Sequence, residues 1–181
     1  MKPKKCKVCL TTFEPKQFAQ ICCNYKCAII HAKNLKAQKE QREWRVEKAV
    51  LKEKLKTLSE YESDAKKSFQ HFIRLRDKNK PCISCNNPNP KDWCGSHYYS
   101  AGMYSGLMFD ERNCHGACNT YCNKMLSGNL LEYRKGLINR YGIAYVDQLE
   151  SEADSKRNYK YTKAELIAKK LKYDILIKEI K

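Results

Sequence analysis

The sequence predicts an α+β fold, mainly helical, with two small metal-bound pieces set among the helices. Three observations predict it. Most of the 11 cysteines fall into two quartets with metal-ligand spacing. Residues 28–80 contain neither proline nor glycine and are rich in Lys, Glu, Gln, Ala, Leu and Arg, a helical composition. Helical periodicity returns beyond residue 130 and runs to the end of the chain.

The first element is a module spanning residues 1–27. Cys6-x2-Cys9 and Cys23-x3-Cys27 form two tight pairs, the arrangement that a tetrahedral zinc ion takes from thiolates. Cys22 is an alternative ligand to Cys23. Between the pairs, Phe13, Pro15 and Phe18 suffice for a hairpin with a minimal core. So short a piece buries too little apolar surface to fold alone, and the metal would supply much of its stability. The basic N-terminus lacks the apolar stretch of a secretory signal, and the cysteine count is odd. Both favour a reducing compartment, and metal binding over disulfides.

Residues 28–80 form a basic helical arm. The apolar stripe in its first part is thin: Leu35, Trp44, Leu51, Leu55 and Leu58, partly seven apart. That suits a projecting or paired helix. An interruption is expected at Ser59–Ser63. A second helix then gathers Ala65, Phe69, Phe72 and Ile73 on one face as core. His31 and His71 have no companion ligands and read as ordinary helical residues.

Pro81 ends the helical tract and opens a domain over residues 81–135. Cys82-x2-Cys85 and Cys118-x3-Cys122 make the second structural zinc quartet, bracketing 32 residues. His97 lies in the run SHYYSAGMY, expected as a strand. C-terminal helices follow, with segments expected at Leu130–Arg140, Tyr145–Glu150 and from Thr162 onward. Thr162 and Glu165 have capping-box spacing, ahead of an apolar stripe of Leu166, Ile167, Leu171, Ile175 and Ile180 for packing or dimerisation. The domain division is thus 1–27, 28–80, 81–135 and 136–181.

The net charge of +16 points to a polyanionic partner, most plausibly nucleic acid. Residues 1–27 carry 6 basic and 1 acidic side chains, and residues 28–80 carry 15 and 8. Residues 81–135 are nearly neutral, with 5 and 4. The pattern suits a reactive centre flanked by arms that grip phosphate, and equally a solvated helix beside a zinc module. No apolar run reaches membrane-spanning length.

Between and after the central knuckles the order is His97, Asn113, then Asn123 directly behind Cys122. This order resembles the HNH endonuclease motif, in an HNN variant. The resemblance implies a ββα-metal finger with one catalytic divalent cation, magnesium or manganese, besides the two structural zinc ions. Phosphodiester hydrolysis needs a base to deprotonate water and a cation to steady the leaving oxygen. His97 would be the base, Asn113 would orient the strand or the imidazole, and Asn123 would offer its carbonyl oxygen to the cation. Further metal-ligand candidates are Cys94 and His115, with Asp92 nearby; phosphate would be held by Arg112 and Lys124. Cys94 and Cys114 also read as buried free thiols. Tyr98, Tyr99 and Tyr104 read as packing residues or as platforms for exposed bases.

The runs PCISCNNPNPKDWCGSHY and FDERNCHGACNTYCNKMLSGNLLEYRKGLINRYG resemble the NinG/Rap family of lambdoid phages. That resemblance implies a structure-selective endonuclease for branched recombination intermediates, Holliday junctions and D-loops, working in the cytoplasm of the bacterial host. It implies partners as well: branched DNA, a second copy of the chain in a homodimer, and other phage recombination proteins. The family pattern has an acidic residue where Cys94 stands. An alternative is therefore a non-catalytic zinc protein that binds branched DNA through a degenerate centre. A site-specific nuclease would need a base-reading element, and none is recognisable.

Overall fold

The computed structural model describes residues 1–180, in two units: Met1–Lys56, and a second running from Thr57 onward. In the first unit, strand β1 (Lys4–Lys5) pairs antiparallel with β2 (Thr12–Phe13). The Cys6–Cys9 turn closes through Leu10 N–H donating to the Cys6 carbonyl at 3.1 Å. Val8 and Phe13 pack against Cys6, Cys22 and Cys27, and Pro15 is buried. Phe18, expected in this core, is 88% exposed. The Lys4 ammonium donates to its carbonyl at 2.6 Å and sits 5.2 Å from its ring, so the side chain is held outside.

Helix α1 (Tyr25–Lys54) begins inside the segment expected to be the zinc module. Asn24 caps it, accepting the Cys27 N–H at 2.9 Å, and Cys27 is its one buried residue. The first turn of α1 is thus fastened to the cysteine cluster. Leu35, Trp44, Leu51 and Leu55 are exposed, in keeping with the thin stripe.

The interruption falls at Leu55–Thr57, not at Ser59–Ser63. Thr57 and Glu60 form a reciprocal capping box that starts helix α2 (Leu58–Arg76), and Ser59–Ser63 are helical. α2 buries Tyr61, Ala65, Phe69, Phe72 and Ile73, the face the sequence indicates. It packs on helix α5 (Lys163–Ile180), where Tyr173 meets Phe69 at 4.9 Å and Phe72 at 5.2 Å between ring centroids. Full burial of each such side chain is worth roughly 1.5–3 kcal/mol.

α5 differs from its expected stripe. Leu166 is buried, but its companions are Tyr173 and Ile177, while Ile167, Leu171, Ile175 and Ile180 are 45–59% exposed. The helix is apolar on more than one side, and contact with α2 selected the Leu166–Tyr173–Ile177 row. Thr162 and Glu165 do make the expected reciprocal cap.

Strands β3 (Trp93–His97) and β4 (Cys114–Cys118) form an antiparallel hairpin that pairs His97 with Cys114 and Trp93 with Cys118. His97 ends its strand, so SHYYSAGMY is loop from Tyr98 onward. The hairpin joins two cores. Cys114 packs with the α2–α5 cluster, whereas Ala117 and Cys118 pack with Tyr133, Leu137 and Val146. The last three come from helices α3 (Leu130–Tyr141) and α4 (Ile143–Ala153). α4 is longer than the expected Tyr145–Glu150 segment. Gly136 on α3 lies directly against the Ile83 carbonyl, where any Cβ would collide with backbone.

Candidate functional site

Each cysteine quartet comes together as its spacing indicates. Cys6, Cys9, Cys23 and Cys27 form one group and Cys82, Cys85, Cys118 and Cys122 the other, with sulfur atoms within 4.8 Å of one another. A zinc ion with bonds of about 2.3 Å requires sulfur–sulfur edges of about 3.8 Å. Cys82 and Cys122 are 3.8 Å apart, Cys85 and Cys118 3.6 Å, Cys9 and Cys23 3.5 Å, and Cys23 and Cys27 3.7 Å. Both groups therefore fit a tetrahedral metal. Cys22 stands outside its quartet as a buried thiol, its pKa raised by burial.

Backbone N–H groups help prepare sulfurs in both quartets for ionisation. The Cys9 N–H holds Cys6 down at about 5. Burial opposes ionisation of Cys82, but N–H groups of Cys85, Cys118 and Ser84 overcome it and lower its pKa.

The segment Asn119–Met125 after β4 is a π-helical turn, with Leu126 N–H donating to the Tyr121 carbonyl at 3.1 Å. Such a turn holds one residue more than an α-turn. The turn starts directly behind Cys118 and brings Cys122 to the same centre. Asp92 accepts from both the backbone N–H and the hydroxyl of Thr120 and so pins the start of the turn to the strand leading into β3.

Hairpin and turn carry the residues singled out from the sequence. Asn113 is completely buried and clamps the connecting loop: its Oδ1 accepts the Tyr99 N–H at 2.7 Å. Its Nδ2 donates to the carbonyls of Tyr99 and Leu107 at 2.9 and 3.1 Å. His97 Nε2 lies 2.9 Å from the Met108 carbonyl. Since a carbonyl only accepts, Nε2 carries the proton and the neutral ring keeps its lone pair on Nδ1. Burial lowers the pKa of His97, the Met108 bond opposes that, and the Lys66 charge reinforces it. The imidazole is therefore neutral at pH 7.

Asn123 Oδ1 accepts from Ser96 Oγ at 2.9 Å, so the oxygen expected to face a cation is already engaged. Cys94 is pushed up to about 11 by burial, then by the Asp92 and Cys82 charges, and is a neutral thiol at pH 7. An engaged amide and a neutral thiol do not fit magnesium or manganese, which take several oxygens. His115 is turned into the core, outside both cysteine clusters' ligand sets. It is 1% exposed, packs against Tyr141 and has Nδ1 3.2 Å from the Tyr133 hydroxyl. Arg112 is likewise spent: its guanidinium contacts Asp110 at 2.8 Å and Glu152 at 2.7 Å. Lys124 is exposed. Cys114 is a buried thiol, as its place in the sequence suggests. Tyr98, Tyr99 and Tyr104 pack against one another at 4.9 and 4.6 Å, with Tyr98 donating to Glu150 and Tyr104 held by Arg157.

Sequence reasoning missed two groups. Asp77, wholly buried, accepts the Gly116 N–H at 2.9 Å and binds Arg76 at 2.8 Å and Lys80 at 3.0 Å. Arg76 also donates to the Cys114 carbonyl at 2.8 Å, so this pair ties β4 to the end of α2. Ser96 is the other, 2% exposed and bound to Asn123. An acidic residue beside two basic ones at a helix end was the local signal for the first. The second had none.

Fold and cysteine geometry define the class: a mainly helical α+β protein with two four-cysteine clusters, each of which could hold a metal ion. The chain belongs to the NinG family, since the family model described as Bacteriophage Lambda NinG protein matches residues 1–181. Protein ninG of Escherichia phage 933W is 33% identical over 196 residues, covering 98% of this chain and 94% of that protein. Protein ninG of Salmonella phage P22 is 40% identical over 132 residues, with 73% and 63% covered. The lambda protein ninG is 36% identical over 132 residues, again 73% and 63%. No solved structure matches the chain. Among the described residues no helix is long and apolar enough to cross a membrane.

Proposed function

We propose that this phage protein is a structure-selective endonuclease that hydrolyses phosphodiester bonds in branched DNA within the bacterial host's cytoplasm. The observation that carries the reading is His97. Its ring is fixed by Met108 through Nε2 and is neutral at pH 7, and among the described residues no hydrogen bond engages Nδ1, the nitrogen that would take a proton from water. Asn113 supports it by clamping the loop that begins at His97. The basic residues of α1 hold DNA arms through phosphates, giving salt-sensitive and sequence-independent affinity. Resolving a junction takes two opposed nicks, so a homodimer is the working form.

A second reading has a specific observation in its favour. With Cys94 neutral and Asn123 bound to Ser96, the centre lacks oxygen ligands for a hard cation. A protein that binds branched DNA without cutting it has that property.

The test is cleavage of a labelled four-way junction, with a linear duplex of matched sequence, in magnesium, in manganese and in neither. Selective cutting by the wild type, lost in His97→Ala while junction binding persists, supports the endonuclease. Binding without cutting in any metal overturns it in favour of the second reading.

A further inference from the structure

Arg112 was the arginine the sequence nominated for phosphate, and two carboxylates occupy it. α2 offers a replacement. Gln70 lies against Gly95 of β3, leaving no room there for a Cβ, and its Nε2 is 3.8 Å from the Cys114 sulfur. This contact fixes which side of α2 lies along the hairpin. Lys66 and Arg74 stand four residues before and after Gln70, on the same side of the helix. The row Lys66–Gln70–Arg74 therefore runs beside β3. Lys66 acts on the imidazole of His97, and Arg74 on the thiol of Cys94.

The cations of α2 differ in what they are already bound to. Arg76 is committed to Asp77 and to two backbone carbonyls. Lys66 faces Glu62 at 2.5 Å and Lys67 faces Asp64 at 3.3 Å. Arg74 is half-buried, and no hydrogen bond or ion pair engages its guanidinium among the described residues. The carboxylate acting on Cys94 from the other direction, Asp92, is held by Thr120. A half-buried, unengaged guanidinium beside a strand that ends in His97 has five donors and no acceptor. Phosphate oxygens are the acceptors that its planar fork matches.

We propose that Arg74 grips a DNA phosphate alongside the Cys94–His97 strand, with Lys66 and Lys124 adding positive charge. The inference builds on the endonuclease reading but does not share its fate, because binding and cutting are read separately. A phosphate held there lies along the strand that ends in His97, and the same grip positions DNA in a protein that only binds.

The experiment uses the full-length, zinc-loaded protein and a fluorescent four-way junction. Wild type is compared with Arg74→Ala, Arg74→Lys and Lys178→Ala, the last removing an exposed charge at the end of α5. Affinity is measured across a salt series, and single-turnover cleavage under saturating protein. Arg74→Ala should bind about tenfold more weakly and flatten the slope of log affinity against log salt by about one phosphate contact. Its cleavage should fall about a hundredfold, the usual cost of losing a donor to the reacting group. Arg74→Lys should keep the salt slope yet lose most of the cleavage, since a point charge does not reproduce a bidentate fork. If Arg74→Ala and Lys178→Ala both match wild type in slope and rate, the proposal is overturned while the endonuclease stands. If wild type never cuts but Arg74→Ala alone flattens the slope, the phosphate site stands and the endonuclease falls. Should Arg74→Ala fail to fold, Arg74→Lys and Arg74→Gln decide by the same slopes.

Discussion

The Asp77 carboxylate, wholly buried at the end of α2, accepts the backbone N–H of Gly116 in the middle of β4 at 2.9 Å. One side chain thereby joins the helix that carries Arg74 to the hairpin that carries His97. With Arg76 and Lys80 it forms a charge cluster in which each member covers the others.

Removing Asp77 leaves the Gly116 N–H unpaired in the interior and takes from Arg76 its only carboxylate partner among the described residues. Asp77→Ala should cost about 3–5 kcal/mol, the range for breaking a buried pair by deleting one partner. Asp77→Asn, which still accepts from Gly116, should cost less. Urea unfolding followed by circular dichroism measures both; equal stability in Asp77→Ala and wild type would remove the cluster's structural role.

His115 makes stability depend on pH. Burial, and then the Arg76 charge, lower its pKa to about 3. The unfolded chain takes up that proton near pH 6.5 and the folded chain refuses it until about pH 3. Stability is therefore full above about pH 6.5 and falls as pH drops through that window, by up to about 1.4 kcal/mol per pH unit. His115→Gln should flatten this part of the stability curve relative to wild type. Cysteine protonation and metal loss act on both proteins alike, so the difference between the two curves isolates His115.

Metal content distinguishes the cysteines. The purified protein should hold two zinc ions per chain. Cys23→Ser and Cys85→Ser should each reduce that by one, and Cys22→Ser should leave it at two. Mass spectrometry under non-denaturing conditions counts them. A loss in Cys22→Ser equal to that in Cys23→Ser would contradict the quartet seen here.

The endonuclease reading predicts a pH profile. The general base must be neutral, and burial lowers the pKa of His97 below its ordinary value of about 6.5. Cleavage should rise with pH through a midpoint below that value and be flat by neutrality. Lys66→Ala, which removes a nearby positive charge, should move the midpoint upward. A midpoint above pH 7, unchanged in Lys66→Ala, would point to a different base.

The legible parts of this protein are those whose chemistry is local. Two quartets follow from cysteine spacing because each knuckle closes within a few residues. The core face of α2 is legible because Ala65, Phe69, Phe72 and Ile73 lie one beside another against a charged opposite side. α5 is the contrary case: Ile167, Leu171 and Ile175 make as good a row as Leu166, Tyr173 and Ile177. Only packing against α2 chooses between them. Arg112 went astray for a related reason, since Glu152 comes from forty residues away. Ser96 and Asn123 meet only because the hairpin and the turn after it fold back together, a relation that no spacing announces.

The turn at Asn119–Met125 has a consequence for descent as well as for geometry. A π-helical turn is an α-turn that has absorbed an inserted residue. Losing the codon of Asn123, just beyond Cys122, would tighten the turn and leave all four thiols gathered at one centre. It would also swing every later side chain by about 100° around the axis. Lys124 would then stand directly behind Cys122, and Ser96 would lose the Asn123 oxygen that it now binds. Which side chain faces β3 is thus a dial with single-residue clicks, set by length while the metal centre holds still.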